Sequence, residues 1–87
     1  MTQPRIEIYT TRSCPFCHRA KALLGEKGVS YEETDVADPE LRAAMTQRAG
    51  RRSVPQIFIG GTHVGGCDDL YALDAAGKLD PMLQGAA

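Results

Sequence analysis

Apolar and polar residues alternate along Arg5-Ile6-Glu7-Ile8-Tyr9-Thr10. A period of two in β-favouring residues predicts a strand. The period then changes. After the short loop Thr11-Arg12-Ser13, Phe16, Ala20, Leu23 and Leu24 recur at i, i+4, i+7 and i+8, one face of a helix. Pro15 suits the first helical position, where its missing N–H would have had no partner. Gly25 weakens the end of this helix and Gly28 stops it. Residues 29–36 predict a second strand, with Tyr31 and Val36 apolar and several Glu between. Asp38-Pro39 is an N-cap followed by a first-turn proline. Leu41, Ala44 and Met45 form the apolar stripe of the second helix, which Gly50 ends. Pro55-Gln56-Ile57-Phe58-Ile59 predicts a third strand and Thr62-His63-Val64 a fourth, with Gly60-Gly61 as a tight hairpin turn. Beyond Gly65-Gly66, Asp68 and Asp69 sit where a helix N-terminus favours negative charge, and Leu70 and Leu73 turn that helix inward. A last short turn or helix follows Asp80-Pro81, and residues 84–87 are expected to fray.

The order β-α-β-α-β-β-α joins the first two strands through a helix, so they should be parallel with a right-handed crossover. The last two form an antiparallel hairpin. The expected architecture is α/β, a mixed four-stranded sheet with helices on both faces, built as a single domain over residues 1–87. A chain of 87 residues buries roughly 60% of the surface its unfolded form exposes, enough for one modest core. Charge refines the picture by exclusion. A formal net charge of −1 gives no reason to expect nucleic acid or an anionic membrane as partner. No stretch approaches the ~18 apolar residues of a membrane span, and residues 1–5 lack the apolar core of a signal peptide. A cytoplasmic location is therefore expected. The three cysteines fall as a close pair and a single. A secreted disulfide scaffold would use an even, denser set, whereas a close pair in a reducing compartment is catalytic or metal-binding.

Cys14-Pro15-Phe16-Cys17 is the centre of the chemistry. The thiolate is the nucleophile in thiol–disulfide exchange. Pro15 places Cys14 at the N-cap, where its sulfur can accept N–H bonds from the first turn, notably from Cys17, and meet the positive end of the helix dipole. Arg12, Lys21 and His18 add positive charge, and each of these favours a thiolate at Cys14. Cys17 lies one turn inside, less exposed and close enough for a Cys14–Cys17 disulfide. An exposed, activated thiol to attack and a shielded one to resolve is what two-step exchange requires. Two rivals carry less weight. Cys14-Pro-Phe-Cys17-His18 also fits c-type haem attachment, but no export signal accompanies it. A structural zinc site needs four ligands, and only Cys67, His18 and His63 remain to complete one. No metal is expected.

Two further segments are open to more than one reading. In Ser53-Val54-Pro55 the proline either starts a strand in the ordinary trans form or adopts a cis bond that offers the Val54 N–H and C=O to a substrate peptide; sequence physics alone favours trans. Gly65-Gly66-Cys67-Asp68-Asp69 is either a turn with helix N-terminal acids or a place where main chain approaches a ligand closely, leaving N–H groups for a carboxylate and Asp68 for an amine. Taken alone, Cys67 reads as a small inert cysteine and Arg51-Arg52 as a solvated loop end.

In this order and at these spacings, Cys14-Pro-Phe-Cys17, Ser53-Val-Pro55 and Gly65-Gly-Cys-Asp-Asp69 resemble the dithiol glutaredoxins of short bacterial type, and the resemblance runs over residues 6–83. It implies a thioredoxin-like fold and a glutathione-dependent disulfide oxidoreductase acting as a monomer on disulfide-containing or glutathionylated proteins, with glutathione as co-substrate. It implies that Cys14 is the nucleophile and Cys17 the resolving thiol. It also implies that Pro55 is cis, that Val54 pairs with the cysteinyl part of glutathione, and that Cys67 and Asp68 hold the γ-glutamyl carboxylate and amine. Phe16 and Gly66 join these contacts. The sequence departs from the pattern where Phe16 replaces tyrosine, Ser53 replaces threonine and Thr11 stands in place of lysine. The last leaves Arg12 or Arg52 as the cation for glutathione. The alternatives are a redoxin fed by thioredoxin reductase, against which the Gly65–Asp69 motif argues, and a dimeric iron–sulfur cluster carrier, against which Pro15 and Cys17 argue.

Overall fold

The computed structural model describes residues 3–84. Strands β1 (Ile6–Thr10), β2 (Glu32–Asp35), β3 (Gln56–Ile59) and β4 (Thr62–Gly65) are connected with helices α1 (Pro15–Glu26), α2 (Pro39–Ala49), α3 (Cys67–Ala75) and α4 (Leu79–Leu83) in the order β-α-β-α-β-β-α-α. The sheet runs β2-β1-β3-β4. β1 lies parallel to β2 and antiparallel to β3, and β3 lies antiparallel to β4. No helix among the described residues is long and apolar enough to cross a membrane.

The register decides what each face buries. Ile6 opposes Ile59 and Ile8 opposes Ile57. Because side chains alternate along a strand, these four isoleucines share one face. There they pack with Ala20, Leu23 and Leu24 of α1, Cys67 and Leu70 of α3, and Leu79 and Leu83 of α4. Glu7, Tyr9, Gln56 and Phe58 take the opposite face. Phe58 meets Tyr9 edge-on at 6.0 Å, and α2 lays the Arg48 guanidinium 3.8 Å above the Phe58 ring. Arg48 also donates to the Tyr9 hydroxyl at 3.0 Å.

Three element expectations are corrected. The apolar stripe of α2 is not a buried stripe: Met45 is buried, but Leu41 is 43% exposed and Ala44 is exposed. The sheet face beneath α2 carries Glu7 and Gln56 beside the Tyr9 and Phe58 rings, and the helix is held by buried Met45 and by Arg48 on those rings rather than by a continuous apolar strip. The second strand begins at Glu32, where pairing with Glu7 begins, and Val29 and Tyr31 instead pack against the core from the connecting segment. The last helix starts at Leu79, ahead of Asp80-Pro81, because fully buried Leu79 anchors it; Pro81 falls in its first turn, where no N–H is needed. Of the residues expected to fray, Gln84 caps α4 and residues 85–87 lie outside those described.

The sheet also gathers three chain segments at one end. β1 ends at Thr10 and leads to α1. Antiparallel β3 begins there, with Gln56 opposite Tyr9, and β4 ends there, with Gly65 opposite Ile57, before α3. Removing buried Leu24 should lower stability strongly, with Leu24→Ala costing about 2–5 kcal/mol in urea unfolding. Leu41→Ala should cost under about 0.5 kcal/mol. Equal losses at the two positions would contradict this division of the core.

Candidate active site

Cys14 is the N-cap of α1, in extended backbone conformation, and the Cys17 backbone N–H donates to its Sγ at 3.1 Å. α1 therefore satisfies one of its unpaired N–H groups with sulfur. The Cys14 thiol also lies 3.8 Å from the Val54 carbonyl. Its residue is 9% exposed, against 0% for Cys17. Burial, and then the hydrogen bond with Cys14, push the Cys17 thiol up to about 12, while a hydrogen bond to the Thr11 backbone and the charge of Lys21 pull the other way. Lys21 itself is held by Glu33 at 2.9 Å. Glu33 is kept below the usual carboxylate range first by the Thr10 hydroxyl and then by Lys21. Against the expectation of an exposed Cys14, both sulfurs of this helical turn are buried, yet unequally: that of Cys14 keeps slight exposure and N–H support, while that of Cys17 is sealed inside and protonated.

The Val54–Pro55 peptide is cis. On the other side of the site, Gly65 has φ +117°, a region that disfavours side chains. Asp69 folds back to accept the Gly66 N–H at 2.8 Å and an Arg51 N–H at 3.0 Å. The Gly66 N–H and then Arg51 hold the Asp69 carboxyl below its ordinary range. Between these walls lies a cleft of about 210 Å³, lined by Phe16, Arg51, Ser53, Val54, Pro55, Gly66, Cys67, Asp68 and Asp69.

The fold brings Phe16, Val54, Pro55, Gly66, Cys67 and Asp68 together around one cleft, beside Cys14. Phe16 stands 52% exposed at its mouth. Cys67 is buried in its floor, and burial raises its thiol. Arg12 and Arg52 are placed elsewhere. The Arg12 side chain is 97% exposed and reaches only Asp35, at 3.9 Å. Arg52 lines a separate groove with Pro39, Arg42, Ala43, Thr46 and Gln47, and its carbonyl accepts from Arg42. The cleft cation is Arg51, which, with Ser53 and Asp69, reasoning from sequence passed over. No sequence pattern singles it out: residues 51–53 belong to no strand, and the fold decides which guanidinium of Arg51-Arg52 enters the cleft.

A thiol pair at a strand–helix junction, one sulfur capping the helix and the other buried, in a thioredoxin-like fold, defines a thiol–disulfide oxidoreductase. The comparisons agree. Residues 6–64 match the family model for glutaredoxin. Glutaredoxin 3 of Escherichia coli strain K12 is 59% identical over 80 residues, 91% of this chain and 96% of that protein. A solution structure of glutaredoxin from Brucella melitensis is 55% identical with a TM-score of 0.86, covering 100% of this chain and 96% of that one. A crystal structure of a buckwheat glutaredoxin–glutathione complex is 34% identical with a TM-score of 0.87, covering 95% and 78%. The chain belongs to the glutaredoxin family.

A Cβ at Gly65 would collide with the Asp69 carboxylate and lie 2.7 Å from an Arg51 nitrogen. Gly65→Ala should therefore destabilise the protein by about 1–3 kcal/mol. At Gly25, inside α1, a Cβ meets nothing within 4 Å, and Gly25→Ala should stabilise by about 0.5–1 kcal/mol. Paired denaturant titrations check both signs, and a Gly65→Ala protein as stable as wild type would contradict the Arg51–Asp69–Gly66 arrangement.

Proposed function

We propose that the protein is a glutathione-dependent reductase of protein disulfides and of protein–glutathione mixed disulfides, acting as a monomer in the cytoplasm. The observation that carries this reading is the cleft beside Cys14, which has main-chain groups near the sulfur and a helix N-terminus, a cation and carboxylates farther along. A tripeptide thiol with two carboxylates and an amine has matching chemistry at its two ends. The close pair Cys14 and Cys17, with one further cysteine, suits a reducing compartment. Exposed large apolar side chains among the described residues are Phe16 and Leu41, too few for a stable dimer face.

Cys14 acts as nucleophile. With a glutathionylated protein, its thiolate attacks the glutathione sulfur, and the protein leaves as thiolate. A glutathione thiolate then attacks the Cys14–glutathione disulfide, releasing glutathione disulfide and restoring Cys14. With a protein disulfide, attack by Cys14 forms a mixed disulfide with one protein sulfur. Cys17 attacks the Cys14 sulfur, its proton passing to the departing protein thiolate, and the Cys14–Cys17 disulfide forms. Two glutathione molecules reduce that bridge and leave as glutathione disulfide.

The Val54 main chain faces the cysteinyl residue of the ligand, with Pro55 and Phe16 as apolar walls. Gly66 gives access to the N–H groups at Cys67 and Asp68, which take the γ-glutamyl carboxylate, and the Asp68 carboxylate takes the amine. Arg51 supplies the cation in the cleft, while Arg12 and Arg52, outside it, add only screened attraction.

Cys14→Ser should abolish exchange with both substrate types. Cys17→Ser should keep reduction of a glutathionylated peptide and lose reduction of a protein disulfide, as read in a coupled glutathione assay. An active Cys14→Ser protein, or a wild type fed only by thioredoxin reductase, would sink the reading. Since the Arg51 side chain is 48% exposed, an ion pair it makes is worth about 0–1 kcal/mol. Arg51→Ala should therefore raise KM for glutathione up to about fivefold at low salt and less at high salt. Arg12→Ala and Arg52→Ala should each change it less than Arg51→Ala does.

A further inference from the structure

Gln56 is a fully buried polar residue at the start of β3 that neither the exchange chemistry nor the glutathione contacts use. Its amide is nonetheless saturated with partners. Nε2 donates to the Ser53 carbonyl at 2.9 Å and to Ser53 Oγ at 3.3 Å. Oε1 lies 2.7 Å from Nε2 of His63. A carbonyl can only accept, so the Gln56 nitrogen must face Ser53. Its oxygen therefore faces His63, and His63 must carry its proton on Nε2. His63 is held in that orientation by stacking on Phe58, with ring centroids 4.8 Å apart and planes inclined by 29°. A rigid line thus runs from the edge strand β4, through Gln56, to the carbonyl of Ser53. The next residue is Val54, whose own carbonyl faces the Cys14 thiol at 3.8 Å.

From this geometry we infer that Gln56 and His63 are positioning residues. By clamping Ser53 they set the Val54 main chain at the height and angle where it can pair with the amides on either side of a substrate cysteine. The inference rests on the reading that the substrate chain reaches Cys14 across Val54. It does not depend on glutathione being the reductant. The clamp acts on recognition of the cysteinyl backbone and not on the reactivity of the Cys14 sulfur.

That separation provides the test. Reduced protein is mixed with one of two disulfides: the dimer of N-acetylcysteine methylamide, which has an amide on each side of the cysteine, or bis(2-hydroxyethyl) disulfide, which has none. The readout is the ratio of the two second-order rate constants, with thermal unfolding as a check that each variant is folded. In Gln56→Met and His63→Phe the ratio should fall about three- to tenfold, the effect of a lost or misaligned neutral hydrogen bond. His63→Phe keeps a ring to stack on Phe58 and removes the Nε2–H donor to Gln56. His63→Gln, whose terminal amide can occupy the place of Nε2–H, should keep the wild-type ratio. A purely structural role would slow both disulfides alike and leave the ratio unmoved. That result, or an unchanged ratio in folded His63→Phe, overturns the inference even if Gln56→Met fails to fold. A third disulfide, methylated on the cysteinyl nitrogen, tests the underlying reading with wild type alone. If wild type reduces it as fast as the parent amide, the substrate does not pair with Val54. If wild type discriminates and His63→Phe discriminates equally, the Val54 reading stands and the clamp falls.

Discussion

The hydrogen bond from the Cys17 N–H to the Cys14 sulfur is the interaction on which the rest of the site depends. A helix must satisfy the N–H groups of its first turn, and most helices do so with a hydroxyl or carboxylate at the N-cap. Here sulfur takes that place. One contact therefore ends the loop after β1, starts α1, and holds the Cys14 sulfur where N–H groups and the helix dipole favour negative charge. The i, i+3 spacing does the remaining work, because the donor residue is itself the second cysteine. Its side chain, one turn in, turns into the core, where burial keeps it protonated. The difference between the two thiols thus comes from helix geometry, with little help from other side chains.

The sheet supplies the partner surface. Because β3 runs antiparallel to both β1 and β4, the end of β1, the start of β3 and the end of β4 fall at one edge. The loop ahead of β3 then reaches Cys14 through Val54, and the N-terminus of α3 reaches the same cleft through Gly65 and Gly66. Ile6, Ile8, Ile57 and Ile59 make that register hard to slip. Slipping either strand by one residue would move its two isoleucines to the face that carries Glu7 and lies under Arg48.

Much of this is legible in the chain itself. The period-two runs at β1 and β3, Pro15 and Pro39 at helix starts, and the paired glycines mark most elements close to their observed bounds. The thiol pair, the Val54–Pro55 turn and the Gly65–Asp69 segment identify the cleft before any coordinates. What escaped depends on distances between segments. The stripe at Leu41, Ala44 and Met45 has helical spacing, yet whether it is buried depends on the sheet face beneath, which mixes Glu7 and Gln56 with two aromatic rings. The choice among Arg12, Arg51 and Arg52 depends on which side of an irregular loop each guanidinium leaves. Gln56 looks like the polar member of an apolar strand; only its side-chain hydrogen bonds show that it sits between Ser53 and His63.

The make-up of the cleft bears on how selective such an enzyme can be. Near the sulfur its polar groups belong to the main chain, at Val54. Main-chain groups recognise what every peptide shares: an N–H and a carbonyl at fixed spacing. Side-chain charge is confined to the far end, at Arg51, Asp68 and Asp69, and Arg51 and Asp69 are already paired with each other. A protein disulfide needs only the first region and can be accepted with little regard to its sequence. A small thiol with charged ends can use both. On the proposed reading, this division lets one shallow site take many protein substrates while drawing its electrons from one reductant, and it places the burden of discrimination on the charged end and not on the sulfurs. The exposed Phe16 ring at the mouth fits the same logic: an aromatic face adds contact area to whatever chain is bound, without demanding a particular hydrogen-bonding partner.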